Sequence, residues 1–389
     1  MEDIEYWLEP ELLHAVAFDV EKNAERLKRL ASLAERIKEI RGRVEVKELG
    51  RPRAEHFAYA VDSSYGSPPL ELIGGVFTVV AYGYVGRERG KGVDKHLSGA
   101  LYFEDRDESD VSRFAALLER RLAARLLRQR ARGAKDFDVL ILDGEIAVHP
   151  LPFNLAVPGG KYEEANKAVD SLLGAAKAAG VALVAVAKRV RSRLLSAAYG
   201  GCLPVNDRAA ATLVLRPGEY FVLGKLSEVL PKWAEMHYAE CEGREEREEV
   251  LACASGGRAP KGERAARLCQ RIKEFRANFA EVLSGRRYPN LPLLGEVQVA
   301  YYRPPGSQTA IRAEVLDFSG AGVDEVLAYL SATSSTVTGY PEVLDEVDKY
   351  VRVDPSFVES VLMMLLRKAP GEVAEVLLPN NLQKFRRLF

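Results

Sequence analysis

The stretch Phe57-Ala58-Tyr59-Ala60-Val61-Asp62-Ser63-Ser64 reads as a buried strand ending in a polar turn, and Asp138-Val139-Leu140-Ile141-Leu142-Asp143-Gly144 repeats the pattern further along the chain. Both are short apolar runs closed by turn residues, as expected of strands covered on both faces. Each carries an aspartate where the apolar run stops. In open α/β sheets ligands bind beyond the carboxyl ends of the strands, so a carboxylate there faces a site while its strand holds it in place.

Between the two stretches, Glu71 to Val85 supplies β-rich runs, Val76 to Val80 and then Tyr82 to Val85. A helix follows from Val111 to about Arg132, capped by Ser109 or Asp110, with Phe114, Leu117, Leu118, Leu122, Leu126 and Leu127 on one face. After Asp143 the pattern continues as a helix from Glu163 to Ala179, closed by Gly180, and a strand from Val181 to Ala187 that runs into a basic turn. Strands, helix, strand, helix, strand is the order of a sheet built from crossover units, so the fold class is α/β, a mixed sheet flanked by helices.

Working outward, the breaker Gly50-Arg51-Pro52 sets off an amphipathic helical arm, Glu11 to Ile40. Downstream, short strands at Thr212 to Leu215 and Tyr220 to Leu223 precede a charged helical tract from Glu240 to Arg276. A hairpin, Glu296 to Tyr302 and Ala310 to Leu316, turns at Pro304-Pro305-Gly306-Ser307, and helices run through Asp324 to Ala332, Pro341 to Val351 and Pro355 to Arg367. The expected division is an N-terminal helical arm at 1–50, the first part of a catalytic core at 51–225, a helical insertion at 226–290, and strands and helices completing the core at 291–389.

With 47% hydrophobic and 29% charged residues the chain is an ordered protein and not a low-complexity or disordered one. A formal charge of −1 shows that the chain as a whole does not advertise a polyanionic partner. Basic residues nevertheless cluster at Arg113 to Arg132, Lys188 to Arg193, Arg258 to Arg276 and Lys384 to Arg387, and phosphate neutralisation is a local event. The four cysteines form no Cys-x-x-Cys pair, which argues against a structural zinc site. An acidic start without an apolar signal core, and no apolar stretch long enough to span a bilayer, lead us to expect a cytoplasmic protein with no membrane partner.

The chemistry follows from the acids. Glu119 stands among Leu117, Leu118 and Leu122 on its helix, where a carboxylate is costly unless it has a partner. Asp62, Glu119 and Asp143, converging from two strand ends and a helix, match oxygen-ligated Mg²⁺ or Mn²⁺. Two such ions about 4 Å apart activate a water and stabilise the leaving oxygen in phosphodiester cleavage. Lys188, at the end of its strand, is suited to a phosphate, with Arg191 and Arg193 alongside as nucleic-acid contacts.

Taken together, Val-Asp-Ser-Ser after a strand, Glu119 in an Arg- and Leu-rich helix, Leu-Asp-Gly at the next strand end, and Gly339-Tyr340-Pro341-Glu342-Val343-Leu344 resemble the NurA nucleases. The resemblance implies an RNase H-like core and a Mn²⁺- or Mg²⁺-dependent nuclease acting on DNA. It further implies a homodimer working beside a HerA-like hexameric ATPase in processing DNA ends. By residue it implies metal-ligand and catalytic roles for Asp62, Glu119 and Asp143, and a catalytic position for Tyr340. It also implies a His eight residues after that Tyr, where this chain has Asp348, and Asp ligates the same hard cations. The competing reading is a catalytically weak DNA-binding or motor-coupling subunit on the same fold; RNA as substrate is a third, since fold does not decide substrate.

Overall fold

A computed structural model describes residues 20, 24, 33–72, 75–104, 108–147, 163–188, 193–199, 203, 205–237 and 244–368. Most of the expected N-terminal arm, the basic cluster at 384–387 and Arg191 lie outside the described residues. In chain order the elements begin with helix α1 (Leu33–Arg43) and strands β1 (Lys47–Glu48), β2 (Ala58–Tyr65), β3 (Leu70–Leu72), β4 (Gly75–Arg87) and β5 (Val93–Glu104). Helix α2 (Glu108–Ala131), β6 (Val139–Asp143), α3 (Glu163–Ala179) and β7 (Ala182–Ala187) follow. Then come α4 (Leu194–Tyr199), α5 (Asp207–Val214), β8 (Glu219–Lys225), α6 (Leu226–Glu235), α7 (Arg244–Ala254) and α8 (Glu263–Ser284). The chain continues with β9 (Gln298–Arg303), β10 (Ile311–Asp317), α9 (Val323–Ala332), α10 (Glu342–Tyr350) and α11 (Pro355–Leu366).

The strands form one mixed sheet in the order β1-β8-β9-β10-β7-β6-β2-β4, with β3 and β5 also paired to β4. Its centre is the expected crossover system: β2 runs parallel to β6, and β6 parallel to β7. With β4 and β5 added antiparallel, the strands stand third, second, first, fourth, fifth, the arrangement of an RNase H-like core. β10, β9, β8 and β1 extend this core antiparallel beyond β7.

Alternation along the strands sorts the apolar side chains onto two faces. Tyr59, Val61, Leu140, Leu142 and Leu183 pack against Leu122, Ala123, Leu126 and Leu127 of α2 and Val169, Leu172 and Leu173 of α3. Ala60, Ile141, Val184, Ala313 and Val315 on the other face meet Leu327 and Leu330 of α9 and Leu344 and Val347 of α10. β6 and β7 are therefore covered on both faces, and their unbroken apolar sequences need no polar alternation.

Three local readings are corrected. Thr212 to Leu215 is not a strand but the end of α5: Asn206 caps it, accepting from Ala209 N at 3.0 Å, and Ala210, Ala211 and Val214 face the core at helical spacing. The two runs within Glu71 to Val85 are one strand, β4. Asp110 lies inside the first turn of α2, paired with Arg113 at 2.6 Å, because the helix begins at Glu108. Strand β5, absent from the sequence reading, is an edge strand with alternate residues exposed. Among the described residues Cys253 and Cys269 form a disulfide joining α7 to α8. No helix among the described residues is long and apolar enough to cross a membrane.

Candidate active site

β2 and β6 stay paired only through Val61 and Leu142; beyond that point β2 keeps β4 as its neighbour. Asp62 therefore sits inside β2, where the sheet splays, and not at the strand's end. Asp143 is the last residue of β6, and Gly144 turns the chain at φ 92° while its N–H bonds Val186 O at 2.9 Å. Both aspartates share the strand phase of Ala58, Ala60, Val139 and Ile141, the face covered by α9 and α10. Helix α10 starts after Pro341 with Glu342 and Asp345 in its first turn, favourable at a helix N-terminus, and carries Asp348 one turn past the buried Leu344. One carboxylate oxygen from each of Asp62, Asp143 and Asp348 lies within 4.8 Å of the others.

Glu119 comes from α2 on the opposite side of the sheet and does not join that mutual set. Its Oε1 pairs with Arg120 Nη1 at 2.7 Å, and its Oε2 accepts from Ser63 Oγ at 3.2 Å. It nevertheless lies close enough to Asp62 and Asp143 to disfavour ionisation across the group. Lys188, directly after β7, reaches into the acids with its ammonium 3.1 Å from Asp348, 3.5 Å from Asp143 and 4.0 Å from Asp62. Tyr340 does not touch the carboxylates: its OH donates to Lys188 O at 3.1 Å. The preceding Gly339 has φ 78°, and a Cβ there would come within 2.6 Å of Ser307 Oγ, so glycine is what lets Tyr340 reach this carbonyl. Arg193 is exposed.

Burial dominates the electrostatics. It pushes Asp62 up to about 8, reinforced by Asp143 and Glu119, against which Lys188 and the Ser63 N–H act. Burial also raises Glu119 to about 7 despite Arg120, and raises Asp143 despite Lys188. For Lys188, burial works against the ammonium, but Asp143, Asp62 and Asp348 together outweigh it and raise its pKa. Four carboxylates thus face two side-chain cations, Lys188 and Arg120, leaving two formal negative charges, the complement of one divalent ion. Closely spaced hard oxygens with an uncompensated negative charge fit Mg²⁺ or Mn²⁺ by donor chemistry.

Three arginines that hold this geometry escaped the sequence reading. Arg120 is buried between Glu119 and the Glu145 carbonyl; its signal was its place three residues before Ala123, on the apolar stripe of α2. Arg208 donates to the same Lys188 carbonyl as Tyr340, at 3.0 Å, and to Thr309 Oγ1 at 2.7 Å; nothing in its local sequence marks it. Behind Asp143, buried Arg312 bonds Glu145 Oε1 at 2.9 Å and pairs with Glu314, which accepts from Ile146 N at 2.9 Å. The turn after Asp143 is thereby tied to β10.

The fold resembles that of the NurA nuclease from Sulfolobus solfataricus, with 14% identity, 93% of this chain and 97% of that one covered, and a TM-score of 0.54. A second solved structure, NurA bound to dAMP and manganese, is 10% identical over 95% of this chain and 100% of that one, with a TM-score of 0.49. No curated protein matches the sequence. The NurA domain family matches residues 57–353, a span that runs from the start of β2 past α10 and includes every acid of the site. The chain belongs to the NurA nuclease family.

Proposed function

We propose that this nuclease is a divalent-metal-dependent deoxyribonuclease that hydrolyses phosphodiester bonds in DNA end processing. The observation that carries the reading is the convergence of Asp62, Asp143 and Asp348 within 4.8 Å, with Glu119 behind them. These four residues would hold Mn²⁺ or Mg²⁺, which when bound activates water for attack on phosphorus and stabilises charge on the phosphoryl and leaving oxygens. The protein's own part is positional and electrostatic. Asp62, Asp143 and Glu119 stand on regular elements and are fixed by the Ser63 N–H, by Arg120 and by the turn anchored on Arg312. The Lys188 ammonium, held at the site by Tyr340 and Arg208 on its carbonyl, offers a donor to a non-bridging phosphate oxygen. Arg191 and Arg193, which follow Lys188 in the sequence, would supply phosphate contacts to the flanking strand.

Digestion of end-labelled DNA with Mg²⁺, Mn²⁺ or EDTA, wild type beside Asp62→Ala, tests the proposal. Cleavage with metal, lost in EDTA and in the variant, is the expected result. One observation favours the second reading, a DNA-binding or motor-coupling subunit of low activity: the Lys188 ammonium already contacts all three aspartates. Wild type that binds DNA but leaves it uncut with either metal would favour that reading.

For assembly we propose a homodimer working beside a HerA-like hexameric ATPase. Support comes from apolar surface at one end of the sheet. Edge strand β5 exposes Val93, Leu97, Leu101 and Phe103, and α11 exposes Phe357, Met364 and Leu365 while Leu362 and Leu366 pack on β4. An exposed edge with an apolar stripe calls for a cover.

A further inference from the structure

Helices α7 and α8 carry a small core of their own, Val250, Cys253, Ala254, Ala265, Cys269 and Ile272, and are joined by the Cys253–Cys269 disulfide. On the side of α8 away from that core, exposed Arg264, Arg267 and Arg271 follow at spacings of three and four residues and so share one stripe. Exposed Arg258 and Lys261 add positive charge in the loop leading into the helix. Glu263 and Glu274 flank the stripe, with Glu263 3.9 Å from Arg267. Helix α6 bridges α8 to α4, the helix that begins directly after Arg193: Trp233 packs on Phe275 with ring centroids 6.0 Å apart, and Glu235 pairs with Arg276. Exposed His237 stacks on Trp233 with ring centroids 5.0 Å apart, and partial desolvation first, then Arg193 and Arg271, hold it below its ordinary value. Both arginines therefore lie near one imidazole, and Arg193 stands five residues after Lys188.

From Arg264 to Arg271 the stripe rises about 10 Å along the helix axis, at about 1.5 Å per residue. That equals the axial span of about three phosphates of one DNA strand, at about 3.4 Å each. The core and the disulfide present the stripe on a braced helix pair, so little ordering is needed when a rigid duplex docks.

We propose that the α8 stripe of Arg264, Arg267 and Arg271, continued by Arg193, is a second DNA contact surface that grips the phosphate backbone of the segment flanking the active site. The proposal rests on the DNA nuclease reading for its ligand but makes no use of the metal. Its test is equilibrium binding of a fluorescent blunt-ended duplex in EDTA across a salt series, with wild type, Arg264→Gln, Arg267→Gln, Arg271→Gln and, on another face of α8, Lys273→Gln. Each stripe variant should lower the slope of log affinity against log salt by about 0.9, the value for one lost phosphate contact, while Lys273→Gln keeps the wild-type slope. Stripe variants that melt like wild type and bind with the wild-type slope would overturn the proposal. Binding is read without metal, so a failure to cleave in the digestion above and a failure of this surface give different results.

Discussion

Burial of Asp62 beside Asp143 and Glu119 lifts its carboxyl from an ordinary 3.8 to about 8, and this sets a pH signature for the metal-free protein. Between those values the folded chain holds a proton that the unfolded chain has released, so stability falls as pH rises through the window. The melting temperature in EDTA should therefore drop from pH 5 to pH 8.5. Mn²⁺ should restore more of it at the higher pH, because carboxylates bind metal deprotonated. A flat profile with equal metal stabilisation at both pH values would contradict the assignment. Asp143→Asn replaces an anionic oxygen with an amide of similar volume, so cleavage should be lost while DNA affinity stays close to wild type. A variant that cuts like wild type would remove Asp143 from the mechanism. Asp62 and Asp143 were legible as residues because each ends an apolar run, and Asp348 because it stands eight residues after Tyr340. The partners of Tyr340 and Glu119 were not legible. A hydroxyl bonded to Lys188 O and a carboxylate bonded to Arg120 and Ser63 are choices made by contact across the fold.

The turn after Asp143 hangs on buried Arg312 and Glu314 and on the partly exposed Glu145. Removing one partner of a buried ion pair leaves the others uncompensated, so Arg312→Met should cost about 3–5 kcal/mol in denaturant titration. Arg312→Met combined with Glu145→Leu and Glu314→Leu should recover much of that loss, because it removes the stranded charges. Gly339→Ala forces a side chain into a left-handed conformation and against Ser307 Oγ. It should cost about 1–3 kcal/mol, read as a lower denaturation midpoint. In α5, Thr212 and Val214 suggest a strand by propensity, but the Asn206 cap and three residues facing the core outweigh it. Strand β5 was missed because its outer face is an exposed apolar stripe, which does not give the alternation expected of a one-sided strand.

For the molecule as a whole, the homodimer proposal predicts twice the chain mass in light scattering at micromolar concentration. Leu97→Lys with Leu101→Lys on β5 should shift that mass toward the monomer, since a charged edge resists pairing. A wild type that stays monomeric at every concentration would remove the dimer and leave the catalytic proposal standing. The succession β2, α2, β6, α3, β7, the parallel centre of the sheet and the two strand-borne aspartates follow from the sequence alone, because periodicity and turn chemistry are local properties that chain order carries into a crossover fold. Which acids meet was decided only by the tertiary structure. Asp348 is more than two hundred residues from Asp143, and packing of α10 on the sheet brings it within 4.8 Å, while Glu119 is held back by its ion pair with Arg120. Distances of that kind arise from the packing of opposite sheet faces and from buried charges seeking partners, neither of which leaves a periodic trace in the chain.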